Sequence, residues 1–166
     1  MIRPLLPADA PLYRDIRLEG LQRHPEAFGA SYEDEVQLNE AEFAVRIPSA
    51  PPDVIFGAFI GDALVGVVGF HARIASKQTH RADVWGMYVR STARCRGIAA
   101  GLISRVVQHA RGIPGLERVH LTVEQNGRAA RRLYQAAGFF AYGVEPKSLK
   151  VAPGVYFDAE LRVLDL

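Results

Sequence analysis

The sequence predicts an α/β fold with a mixed, mostly antiparallel central sheet flanked by helices. Three observations carry this. The residue patterns alternate in the order β-α-α-β-β-β-α-β-α-β-β along the chain. Two strand pairs meet at the tight turns Gly61-Asp62 and Pro153-Gly154, as hairpins do. Two amphipathic stretches then fall between strands in the second half, where crossover helices are needed.

The elements follow in order. Leu12, Ile16 and Gly20, with Tyr13 and Leu21 beside them, recur at helical spacing after Pro11, a good first-turn residue. Asn39 and Glu42 predict a capping box on a short helix that stops before Pro48. The Pro-rich stretch from Ser49 to Asp53 predicts a loop. Strands are predicted over Val54 to Ile60, Ala63 to Phe70 and Asp83 to Val89. Ile98, Leu102, Ile103, Val106, Val107 and Ala110 form the stripe of the next helix, with Arg105, Gln108 and Arg111 opposite. Val119, Leu121 and Val123 alternate with polar neighbours as a strand. Ala130, Leu133, Tyr134 and Ala137 make the last helical stripe, and Gly138 is placed to end it. Strands return over Phe139 to Gly143 and Val155 to Val163.

At 166 residues, 49% apolar and 23% charged, the chain predicts one domain over residues 1–166. Its longest apolar run, Ala63 to Phe70, is far short of the ~20 residues of a membrane span. The start of the chain lacks the basic stretch and apolar core of a secretory signal, and a single cysteine excludes an internal disulfide. A cytoplasmic protein is expected, without a membrane partner. The five histidines show no metal-ligand spacing, so no metal is expected. Charge is uneven: residues 1–62 hold five arginines against eleven acidic residues, and residues 90–132 hold nine arginines against Glu117 and Glu124. That basic block suits an anionic ligand. No RNP, zinc-finger or bZIP signature accompanies it, which argues against nucleic acid.

Two segments carry chemistry. In Val84 to Val107 a strand feeds the turn RCRGIA, from which an amphipathic helix starts. Unpaired N–H groups and the positive end of the helix dipole make such a start an anion site. The GK[ST] of an ATP-binding loop and the GxGxxG of a dinucleotide fold are both missing. In Val123 to Phe139 a strand end, a polar turn, a helix and a capping glycine follow. With R-x-x-G-x-A followed by N-x-x-A, LY and GF, the chain resembles the GNAT superfamily of N-acetyltransferases, over most of its length. The stretch from Leu18 to Glu35 and the tail YGVEPKSLKV are similar to bacterial, small-molecule-type members.

The resemblance implies the acyl-CoA N-acyltransferase fold, acetyl-CoA as co-substrate, and a small-molecule or peptide amine as acceptor. It leaves a homodimer open, and with it a silent acyl-CoA sensor of the same fold. Arg94, Arg96, Gly97, Ile98, Ala99 and Ala100 match the family's pyrophosphate loop. Met87, Tyr88 and Val89 match the strand end whose backbone pairs with the pantetheine arm. Asn126 matches an asparagine that contacts pantetheine, and Tyr134 the tyrosine beside the thioester sulfur. Two departures stand out. Cys95 replaces the glycine the family commonly has between its two arginines, so that position is expected to have negative φ. Asn126 lies eight residues before Tyr134 instead of seven, with Gly127 at the usual place.

Tyr134 is the expected acid for the leaving thiolate. With ordinary pKa values of ~10 and ~8.5, that transfer is uphill by about 2 kcal/mol. A backbone N–H near Met87 or Tyr88 is the expected oxyanion donor, freed by a bulge at Gly86. Candidate bases are Glu33, Asp83 and Glu124, with His71 as an outsider. As the resemblance places the first helices over the acceptor, the acidic first third is expected to floor the pocket and favour a cationic amine.

Overall fold

The computed structural model describes residues 1–166. Seven strands form one sheet: β1 (Ile2–Pro4), β2 (Val54–Ile60), β3 (Ala63–Ala72), β4 (Arg81–Val89), β5 (Arg118–Glu124), β6 (Phe140–Ala152) and β7 (Val155–Asp165). The spatial order is β1-β2-β3-β4-β5-β7-β6, and only β4 and β5 run parallel. The helices are α1 (Ala10–Arg23), α2 (Tyr32–Glu35), α3 (Glu40–Arg46), α4 (Ile98–Arg111) and α5 (Arg128–Ala136). The expected architecture is found, and the element order differs only by one added helix, the four-residue α2 between α1 and α3.

Strand alternation divides the core between the two faces of the sheet. Ile55 and Val67 join Ile16, Leu21 and Phe43 beneath α1 and α3. Their neighbours Phe56 and Val68 turn the other way, onto Leu102, Val106 and Phe139 beneath α4 and α5. Local signals hold the helix ends. The side chain of Asn39 accepts from the Glu42 N–H at 3.1 Å while Glu42 accepts from the Asn39 N–H at 2.7 Å. Gly138, at φ 96°, ends α5. Its N–H reaches the Gln135 carbonyl and that of Phe139 the Tyr134 carbonyl, the paired bonds of a Schellman cap.

The last hairpin departs from expectation. β6 does not stop at Gly143 but runs to Ala152, through Pro146 and Lys147. Its register shifts between Glu145 and Leu149, and Lys147 sits at φ 52° with its N–H donated to Asp158 at 2.7 Å. A bulge absorbs the proline, which has no N–H to give the ladder.

Candidate functional site

β4 and β5 pair only from Arg81 to Asp83 and from Arg118 to His120. Beyond Asp83 the two strands part, and the rest of β4 has no strand on that side. β5 remains paired to β7 as far as Glu124. The opening is a groove of about 470 Å³. Met87, Tyr88 and Val89 line one bank, Thr122 and Val123 the other, with Ala99 and Tyr134 on the α4–α5 side. At its centre Gly86, at φ 62°, makes a bulge: Tyr88 still faces Val67 while Trp85 faces Gly69, so two β4 residues oppose Val68. The expected bulge is therefore present, on the strand that borders the groove.

The N-terminus of α4 stands at one end of this groove. Its N-cap is Gly97 at φ 74°, with no side chain capping the first N–H groups. A side chain there would meet no protein atom within 4 Å, so the approach is open. Arg94 donates through Nε to the Val89 carbonyl at 3.0 Å, and its Nη2 lies 3.1 Å from Nε2 of His24. Arg96 is exposed and in no ion pair. Ile98 packs towards Gly66, and Ala100 lies outside the groove, in a separate hollow with Ser104. Cys95 contradicts its expectation: it has φ 60°. The left-handed conformation served elsewhere by glycine is retained here by a cysteine, at a backbone penalty of about 1–2 kcal/mol.

Tyr134 is 6% exposed and lines the groove. Its ring meets that of Phe139 edge-on at 6.0 Å, and its hydroxyl has no hydrogen-bond partner in the protein. Burial pushes its pKa up to about 12. Asn126 is exposed on the preceding turn, and the groove at this point is lined by Gly127 instead.

A second cavity, of about 540 Å³, adjoins the groove through shared walls that include Glu26, Phe28, Trp85, Thr122 and Glu124. The expected bases fare differently. Asp83 lines this cavity, but both its oxygens are held at 2.7 Å by Arg73. Glu33 is exposed on α2, outside the groove and the cavity. The buried member of that acidic run is Glu35, which accepts from Arg17 at 2.9 and 3.0 Å. His71 is exposed and bonded to Asp53 at 2.7 Å, away from both spaces. Glu124 alone of the candidates borders groove and cavity together, with Oε1 accepting from the Asn126 N–H at 2.8 Å.

Sequence reasoning missed Glu26, Phe28, Tyr142, Glu145 and Asp158, all in the cavity wall. They come from a short turn after α1 and from the last hairpin, and no motif joins them. It also missed His24, set between Arg94 and the Glu26 carboxylate at 3.1 Å.

Comparison with known proteins agrees with this geometry. The model of the acetyltransferase (GNAT) family matches residues 14–139. An acetyltransferase of the GNAT family from Streptococcus pneumoniae superposes with a TM-score of 0.85 at 21% identity, covering 100% of this chain and 99% of that one. A GCN5-related N-acetyltransferase from Kribbella flavida gives 0.83 at 19%, over 100% and 97%. A putative acetyltransferase from Salmonella typhimurium, solved with its cofactor acetyl-CoA, gives 0.80 at 19%, over 100% and 93%. At such identities these likenesses speak for the fold. No curated protein sequence matches the chain.

Proposed function

The chain belongs to the GNAT acetyltransferase family, and from that premise we propose that it is an N-acetyltransferase moving the acetyl group of acetyl-CoA to an amine by direct attack. The observation that carries the reading is the parting of β4 and β5, with the uncapped start of α4 at its mouth and the unpartnered Tyr134 hydroxyl in its wall. Acetyl-CoA fits this groove: an open strand edge suits the amide-bearing pantetheine arm, and free helix N–H groups suit the pyrophosphate.

The roles follow. The backbone of Met87, Tyr88 and Val89 aligns the pantetheine, and the bulge at Gly86 leaves a nearby N–H for the oxyanion. Gly97, Ile98, Ala99 and Ala100 present the first-turn N–H groups to the pyrophosphate, while Arg94 and Arg96 add charge. Asn126, exposed on its turn, is assigned only the rim of the site. Glu124 takes a proton from the bound ammonium, directly or through water, so that the neutral amine attacks, because Asp83 is occupied by Arg73 and Glu33 faces solvent.

The amine nitrogen forms the new C–N bond, the thioester C–S bond breaks, and the thiolate is protonated as it leaves. From a phenol at about 12 to an ordinary thiolate near ~8.5, full transfer is uphill by roughly 5 kcal/mol, more than the unperturbed values imply. Tyr134 therefore donates a hydrogen bond that tightens as charge gathers on sulfur, and the proton passes only as the bond breaks. No helix is long and apolar enough to cross a membrane. With acetyl-CoA as co-substrate and one cysteine in the chain, the site of action we infer is the cytoplasm.

Thiol release from acetyl-CoA over a panel of primary amines, beside calorimetry with CoA, tests this. Tyr134→Phe should lower kcat by about 10²-fold and leave CoA affinity unchanged. CoA binding without thiol release for any amine would overturn transfer and favour a sensor.

A further inference from the structure

Resting on the acetyltransferase reading, we propose that the acceptor is an aliphatic primary amine carrying a second positive charge, seated in the 540 Å³ cavity beside the groove. The cavity shares Trp85, Gly86, Thr122 and Glu124 with the groove whose wall holds Tyr134, so an amine seated in it reaches the groove directly.

Both guanidinium groups in its wall are already neutralised: Arg17 by Glu35 and Arg73 by Asp83. Three carboxylates remain without a cation. Glu124 and Asp158 accept only backbone N–H groups, from Asn126 and Lys147, and Glu145 accepts only the Ser148 hydroxyl. The lysines of the same hairpin do not offset them. Lys147 and Lys150 reach across the ring of Tyr156, at 5.2 and 5.9 Å from its centre.

Spacing adds to charge. Ala159 pairs with Glu124 on one side and Glu145 on the other, so the two glutamates end a row across three strands. At an ordinary spacing of ~4.8 Å per strand, they sit about 10 Å apart over a small alanine floor. A cation at each end and an apolar spacer between them match that row. Trp85, 37% exposed, is held in place against Gly69 and borders both groove and cavity, an aromatic surface for the ammonium approaching transfer. The acidity therefore arises from β5 and the last hairpin. The acidic first third supplies only Glu26, which is paired with His24.

Three amines built on four carbons separate the outcomes: 1,4-diaminobutane, butylamine and 4-aminobutyrate. Calorimetric titration of each into the CoA-loaded protein reads charge preference independently of turnover, and thiol release reads transfer. The diamine is expected to bind about tenfold or more tighter than 4-aminobutyrate, the scale of one to two partly exposed charge pairs, and the gap should shrink in 0.5 M salt. Glu145→Gln with Asp158→Asn should narrow the ratio. Binding of 4-aminobutyrate equal to or tighter than the diamine, or no binding by any of the three, overturns the proposal. Preferential diamine binding without thiol release would uphold the dication site and overturn both transfer and the amine's role as acceptor.

Discussion

Arg73 grips Asp83 through both Nε and Nη2, each 2.7 Å from a carboxylate oxygen. This pair separates two carboxylates that sequence alone leaves equivalent. Accepting a proton on Asp83 would break a bidentate charge-assisted contact, whereas Glu124 has only a backbone N–H to lose. Glu124→Gln should lower kcat by about 10²-fold with a high-pKa amine and remove the acidic limb of the pH profile. Asp83→Asn should stay within about fivefold, the scale of a partly solvated ion pair. Steady-state kinetics on both variants decides between them, and the reverse ranking would make Asp83 the base.

Two buried phenols set an alkaline limit on the fold. Burial pushes Tyr13 and Tyr134 each up to about 12. Both rings stay protonated longer in the native chain than in the unfolded one, whose phenols titrate near ~10. Their contribution is complete below pH ~10 and is lost as pH rises towards about 12, by roughly 3 kcal/mol per ring. Denaturant melts between pH 9 and 12 should show a steep fall, flattened stepwise by Tyr13→Phe and Tyr134→Phe. A fall unchanged in both variants would assign it to other groups.

Where a signal was local, the sequence was legible. The Asn39–Glu42 cap, the Gly61-Asp62 turn and the Schellman end at Gly138 each depend on a few adjacent residues and stand where expected. The length of β6 was not legible, because Glu145 to Lys150 is polar and largely exposed on both faces, so no alternation marks it. Its strand character comes from pairing with β7 alone. The residues expected at the groove came from the resemblance alone, and Met87, Tyr88, Val89, Arg94, Ala99 and Tyr134 line it while Gly97 and Ala100 do not. The adjoining cavity joins Glu26, Glu124, Glu145 and Asp158 from four places in the chain, and only the sheet brings them together.

Cys95 and Gly97 share the left-handed conformation, at φ 60° and 74°, two residues apart. A side chain pays a backbone penalty of about 1–2 kcal/mol there, while glycine loses about 0.4–1 kcal/mol of unfolded-state entropy. Cys95→Gly should therefore stabilise the fold by about 0.5–1 kcal/mol, seen as a higher denaturant midpoint at constant slope. Gly97→Ala should move the midpoint the other way, although no atom stands in the way of its methyl group. Gly97→Glu should in addition abolish CoA binding, since a carboxylate at the helix start competes with the pyrophosphate. Unchanged CoA affinity in folded Gly97→Glu would remove the loop from the site.

The acidic count of the first third also led to the wrong residues. Glu33 and Glu35 are neighbours but one on a single turn of helix, yet their surroundings are opposite. Glu33 is exposed with no partner, whereas Glu35 is 6% exposed and meets both Arg17, at 2.9 Å, and Arg46, at 3.3 Å. Burial alone would raise the Glu35 carboxyl, but the hydrogen bonds and charges of Arg17 and Arg46 outweigh it and hold it below the usual range. Neutralising Glu35 would leave Arg17, itself 9% exposed, as a charge without its counterion. Glu35→Gln should destabilise the fold by about 3 kcal/mol, the cost of breaking a buried pair from one side. Glu33→Gln should stay within about 0.5 kcal/mol. Because the depressed carboxyl stays ionised, the stability Glu35 lends is present above the unfolded carboxylate range and is lost as pH falls through its lowered value. The acid limb of a stability profile should thus flatten in Glu35→Gln and not in Glu33→Gln. Glu33→Gln should leave the ranking of cationic over anionic amines unaltered, since Glu33 lies outside the cavity, whereas Glu35→Gln should narrow it by freeing the charge of Arg17 in the cavity wall. If Glu33→Gln narrowed that ranking, the acidic first third would face the acceptor after all.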